Sequence, residues 1–123
     1  MKETLSMLYK PGLHILAEFS VDDVSCLSAS APCKLFFNEL VTEHSLEKVG
    51  EVYHDFDGAG FTAVICLTES HLSIHTWPEF NLATFDIFLS NYQKDNSEKV
   101  KAIYARVLEF FKGTEIKKTE LVR

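Results

Sequence analysis

The chain has 123 residues, 46% of them hydrophobic, and a net charge of −6 from 12 basic and 18 acidic side chains. That length suits one domain with one core. The acidic balance without a basic stripe argues against nucleic-acid binding, and no apolar run is long enough to cross a bilayer. Met1-Lys2-Glu3-Thr4 lacks the basic segment and apolar stretch of a signal peptide. Three cysteines, Cys26, Cys33 and Cys66, with no CxxC spacing argue against a disulfide framework. A cytoplasmic protein is expected.

In chain order, residues 1–11 read as a loose lead-in ending in the turn pair Pro11-Gly12. His14 to Phe19 reads as a strand, with Leu13, Ile15 and Ala17 on one face. His14, Leu16 and Glu18 fall on the other, a mixture that suits a partly covered site. Residues 20–31 read as a loop. Ser30 can cap a helix that tolerates Pro32 in its first turn and carries the stripe Leu35, Phe36, Glu39, Leu40 and Glu43. Val49 to Phe56 is a second strand, Asp57-Gly58-Ala59-Gly60 a hairpin turn, and Phe61 to Thr68 a third strand. Cys66 lies in the apolar run Val64-Ile65-Cys66-Leu67 and is expected as a small buried hydrophobe. Thr84 to Ser90 is the fourth strand. Ser97 is expected to cap a second helix that Gly113 ends, and Thr114 to Val122 alternates as a lysine-bearing edge strand. The sum is one α+β domain over 1–123: a two-layer sandwich, a mainly antiparallel sheet with two helices on one face.

Between the third and fourth strands lies Glu69-Ser70-His71-Leu72-Ser73-Ile74-His75-Thr76-Trp77-Pro78-Glu79, which concentrates histidines, hydroxyls, carboxylates and the single tryptophan. Residue type alone permits several readings. His71 and His75 stand at i, i+4, but the segment is β-rich, lacks HExxH and shows no third ligand, so no metal is expected. Ser70, His75 and Asp86 could be drawn as a hydrolase triad, but no GxSxG elbow exposes the serine. A lone Ser–His pair beside a strand is commonly structural.

This stretch closely resembles the self-processing segment of the prokaryotic S-adenosylmethionine decarboxylases. The resemblance extends to Gly12-Leu13-His14-Ile15-Leu16-Ala17-Glu18-Phe19, His54-Asp55-Phe56, Gly60-Phe61-Thr62 and Ala83-Thr84-Phe85-Asp86-Ile87-Phe88, covering most of residues 12–90. It implies that the Ser70 hydroxyl attacks the Glu69 carbonyl. The resulting ester is lost by β-elimination, leaving a chain of residues 1–69 (β) and a chain of residues 70–123 (α) that begins with a pyruvoyl group generated from Ser70. By the same resemblance His75 is the base for elimination, and Thr62 takes the place of a family serine that stabilises the tetrahedral intermediate. The pyruvoyl carbonyl forms a Schiff base with the substrate amine and draws electrons as CO₂ leaves. Phe56 matches the aromatic that stacks on adenine and Glu79 the carboxylate that binds the ribose. Trp77 and Glu18 lie beside the site. A homodimer of processed protomers sharing their sites is also implied.

Three positions depart from the family. Ser90 stands where a cysteine protonates the carbanion, and an alcohol is a far weaker acid than a thiol. Thr62 replaces serine, and Asn81 stands where glycine is usual. The leading expectation is a decarboxylase of S-adenosylmethionine serving spermidine and other polyamine synthesis. The alternatives are a pyruvoyl-dependent ornithine or arginine decarboxylase, and an unprocessed regulatory paralogue without activity. Intact Glu69-Ser70 and His75 speak against the last.

Overall fold

The structure, a computed structural model, describes residues 9–92 and 94–123, so most of the expected lead-in lies outside the described residues. Its elements are β1 (Leu13–Ser20), α1 (Ser25–Ser28), α2 (Ala31–Glu43), β2 (Lys48–Asp55), β3 (Phe61–Leu67), β4 (Ser70–Trp77), a 3-10 turn (Pro78–Phe80), β5 (Leu82–Leu89), α3 (Ser97–Phe111) and β6 (Thr114–Val122). The strands form one sheet in the order β2-β3-β4-β5-β1-β6, with every neighbouring pair antiparallel.

Period-two alternation divides the sheet into a core face and an open face. Ile15, Ala17 and Phe19 of β1, Phe61, Ala63 and Ile65 of β3, Leu72 and Ile74 of β4, and Phe85 and Ile87 of β5 are buried together with helix residues. The helices therefore cover one face, and the α+β two-layer sandwich is as expected.

Several details differ from expectation. The stretch between the third and fourth strands is itself a central strand, β4, because Leu72, Ile74 and Thr76 alternate inward while His71, Ser73 and His75 alternate outward. The sheet thus has six strands. The loop after β1 contains the short helix α1, which brings the α-helices to three among the described residues. On α2 the buried stripe is Cys33, Phe36, Phe37 and Leu40, at i, i+3, i+4 and i+7, and Leu35 is 70% exposed. Cys66 is exposed, since Ile65 and Leu67 take the core positions on either side of it.

The helix ends are also bound differently. Ser30 sits at the N-terminus of α2, but its hydroxyl and N–H both donate to the Asp55 carboxylate, at 2.9 and 2.7 Å, tying the helix to the end of β2. Asn96, not Ser97, occupies the cap position of α3, and Lys112 takes the left-handed conformation at its C-terminus (φ +52°). Gly113 serves instead as a close approach: a Cβ there would lie 2.5 Å from the Phe19 ring.

Candidate active site

Ser70 opens β4 directly after the two-residue turn Thr68-Glu69, paired with Leu67 on one side and Leu89 on the other. Two-residue hairpins are easiest with glycine or asparagine at positive φ. Here the positive φ falls on Ser70, at +145°, a conformation that L-residues rarely hold. The strain is therefore stored beside the Glu69–Ser70 bond. The Glu69 carbonyl accepts the Ser90 N–H at 2.8 Å. The Glu69 carboxylate accepts Asn96 Nδ2 at 2.5 Å, and the same nitrogen donates to the Ser90 carbonyl at 2.7 Å. A groove of about 620 Å³ opens here, lined by Glu47, Thr68, Glu69, Ser90, Tyr92 and Lys94 among others.

A second group lies toward the other end of β4. Thr62 Oγ1 and His75 Nδ1 are 3.0 Å apart, and the pair sits in register across β3 and β4. With Nδ1–H donating to Thr62, the lone pair of His75 is on Nε2, the atom a base would use. Trp77 follows on the same strand, its ring 6.1 Å from that of His75. Phe56, half exposed beyond β2, packs edge-on against His54 at 4.9 Å. Glu79 is exposed in the 3-10 turn, which ends at Asn81 in the left-handed conformation (φ +53°). That conformation explains a usual glycine there, and Asn is the side chain that best tolerates it. Its Nδ2 also donates to the Val21 carbonyl at 3.0 Å.

Between these groups the open face carries a network missed in the sequence apart from the rejected triad. Asp86 Oδ2 accepts His14 Nε2 and His71 Nε2, each at 2.9 Å, and Oδ1 accepts the Ser73 hydroxyl. Burial works to raise the Asp86 carboxyl, but the hydrogen bonds from Ser73, His14 and His71 outweigh it and hold the group below its ordinary pKa. Among the described residues, His14, His71 and Asp86 are the set whose donor atoms converge as metal ligands would. The separations are those of charge-assisted hydrogen bonds. His71 and His75, four apart on a strand, do not converge. Beside the network lies a cavity of about 440 Å³ lined by Leu16, Glu18, Ser73, His75, Asp86 and Lys117 among others.

The expected site residues thus fall into two clusters. Glu69, Ser70 and Ser90 stand at one end of β4; Thr62, His75, Trp77, Phe56, Glu79 and Glu18 stand toward the other. Ser70 and His75 are five residues apart on one strand, about 17 Å at 3.4 Å per residue. A single chain does not bring them together.

A profile described as S-adenosylmethionine decarboxylase matches residues 13–123. The chain belongs to this family. It is 36% identical over 101 residues to the S-adenosylmethionine decarboxylase proenzyme of Archaeoglobus fulgidus, covering 82% of this chain and 87% of that one. To the S-adenosylmethionine decarboxylase proenzyme of Thermoplasma acidophilum it is 30% identical over 112 residues, with 91% and 82% covered. The crystal structure of the adenosylmethionine decarboxylase from Aquifex aeolicus VF5 superposes with a TM-score of 0.77 at 27% identity, over 94% of this chain and 90% of that one. Both of these relatives are described as proenzymes.

Proposed function

We propose that this chain is a self-processing decarboxylase of S-adenosylmethionine that cleaves its own Glu69–Ser70 bond and supplies decarboxylated S-adenosylmethionine for polyamine synthesis in the cytoplasm. The observation that carries the reading is Ser70 itself: a nucleophile in a strained conformation (φ +145°), directly after a carbonyl held by a backbone donor, in a chain of this family. Attack by the Ser70 hydroxyl on the Glu69 carbonyl transfers the acyl group from nitrogen to oxygen and releases the strain. Removal of the Ser70 Cα proton by a base then expels residues 1–69 as a carboxylate. Water converts the dehydroalanine left at position 70 to a pyruvoyl group and ammonia.

The surroundings fit that group. Position 70 remains anchored in the sheet by its pairing with Leu89, and the groove beside it gives a substrate access. A pyruvoyl carbonyl supplies the electron sink for decarboxylation of an α-amino acid. The chain's own residues bind and orient: Phe56 offers a ring face for adenine and for a sulfonium cation, and Glu79 offers an acceptor for ribose hydroxyls. Thr62 fixes the His75 ring so that it acts as base. Ser90 stands beside position 70 but holds its proton too tightly to be a strong general acid.

The separation of the Ser70 and His75 clusters calls for a second copy of the chain. The open face exposes Leu16, Val52, Val64, Trp77 and Leu121, an apolar surface suited to burial in a dimer. Two copies packed through this face, running in opposite senses, set the Ser70 end of one against the His75 end of the other.

The substrate is tested by CO₂ release from S-adenosylmethionine, ornithine and arginine, with wild type and Ser90→Cys side by side. Release from S-adenosylmethionine is expected in both, faster in Ser90→Cys because a thiol titrates near working pH; a tenfold gain requires about 1.4 kcal/mol off the barrier. Wild-type preference for either amino acid would overturn the substrate.

A further inference from the structure

Asn96 is placed where asparagine ordinarily caps a helix by accepting the N–H of the first turn. It does not do so here: α3 has no side-chain cap, and Asn96 Oδ1 is buried without a partner. The side chain, 2% exposed, turns away from its helix and spends Nδ2 on the Glu69 carboxylate and the Ser90 carbonyl. Its backbone is pinned as well, since the Asn96 N–H donates to Asn91 Oδ1 at 2.7 Å and Asn91 Nδ2 donates to the Pro11 carbonyl at 2.9 Å. One buried amide thus ties the residue before the scissile bond to the residue whose N–H holds the scissile carbonyl.

We infer that Asn96 is a positioning residue for the first step of self-cleavage, and that the Ser90 backbone N–H is one donor that stabilises the oxyanion. This rests on the reading that Glu69–Ser70 is the bond cleaved. In that step Ser70 Oγ forms a bond to the Glu69 carbonyl carbon, its proton passes to a base, and the electron pair of the C=O moves onto the oxygen. Collapse breaks the C–N bond, and the Ser70 nitrogen leaves as an amine after taking up a proton. The Ser90 N–H lies 2.8 Å from the oxygen that becomes charged, the range of an oxyanion donor. Asn96 acts on this geometry in two ways. Its bond to the Ser90 carbonyl fixes the peptide chain that carries the donor. Its bond to the Glu69 carboxylate draws that charge aside, where it would otherwise oppose the negative charge developing on the same residue's carbonyl. A backbone donor also does not depend on the Ser90 side chain, so the change from the family's cysteine leaves it in place.

The test follows cleavage of freshly refolded proenzyme by intact mass, with and without hydroxylamine, at a temperature where each protein is folded by circular dichroism. Hydroxylamine cuts the ester once it has formed. Asn96→Ala and the near-isosteric Asn96→Asp are expected to slow cleavage roughly tenfold or more, and hydroxylamine should not restore the rate, because the ester is not reached. Thermal melts in a Ser70→Ala background separate lost stability from lost rate. Wild-type cleavage rates in both variants would overturn the inference, as would a stalled variant that hydroxylamine releases at the wild-type rate. Absence of cleavage in the wild type would instead remove the reading beneath it.

Discussion

Asp86 shows how much of the open face depends on one carboxylate. It accepts bonds from His14 on β1 and from His71 and Ser73 on β4, and its folded pKa is lowered. The unfolded chain therefore takes up this proton at a higher pH than the folded chain does. Asp86 contributes stability that is full above its unfolded pKa and is lost as pH falls below about 4. Melting temperatures from pH 6 to pH 2.5 should fall for the wild type, while Asp86→Asn should start lower and lose less through the acid window. Parallel curves would show that the network does not couple to folding. At this scale the sequence was partly legible. Glu69, Ser70 and His75 stand in the motif of residues 69–79 and Thr62 in the separate stretch Gly60-Phe61-Thr62, so the residues could be singled out, while the roles that the resemblance implies for them rest on the cleavage assays. Asn81 meets the left-handed turn that glycine fills most easily. The partners of Asp86 were not legible, because His14 lies 72 residues away and joins it only through the pairing of β1 with β5. Asn96 was hidden for a related reason: the sequence offers Ser97 as the helix cap, and only the fold turns the Asn96 side chain toward Glu69.

The elements explain how a chain cut between Glu69 and Ser70, as proposed, would remain one domain. Residues 1–69 supply β1, β2 and β3, and residues 70–123 supply β4, β5 and β6. In the order β2-β3-β4-β5-β1-β6 the two pieces interleave, meeting at the β3–β4, β5–β1 and β1–β6 pairings. The fragments should therefore elute together on native size exclusion and separate only in denaturant; separation under native conditions would contradict the interleaved sheet. Period-two alternation located β1, β2, β3, β5 and β6 in the sequence within two residues at every end. It was equally present in β4, where Leu72, Ile74 and Thr76 are buried, but the density of functional groups invited reading that stretch as a link. The buried Thr76 shows why it is a strand: its hydroxyl accepts the Phe61 N–H at 2.9 Å and donates to the Leu27 carbonyl at 2.8 Å, locking β4 to β3 and α1. The stripe of α2 was misplaced because Leu35 competes with Cys33 and Phe37 for the buried face, and only packing against the sheet decides between them.

For the whole molecule, the two clusters along β4 make the assembly a matter of chemistry. If the site is shared between copies, proenzymes carrying Ser70→Ala or His75→Ala should each stay intact alone. Coexpressed, they should yield cleaved His75→Ala chains, whose Ser70 meets the intact His75 of the other copy. No cleavage in the mixture would contradict the shared site. The central claim, self-cleavage between Glu69 and Ser70, is tested most directly by the intact mass of the purified wild-type protein under denaturing conditions. The prediction is two species, one ending at Glu69 and one beginning at position 70 with the mass of a pyruvoyl group in place of serine. A single full-length species of 123 residues after prolonged incubation would contradict it.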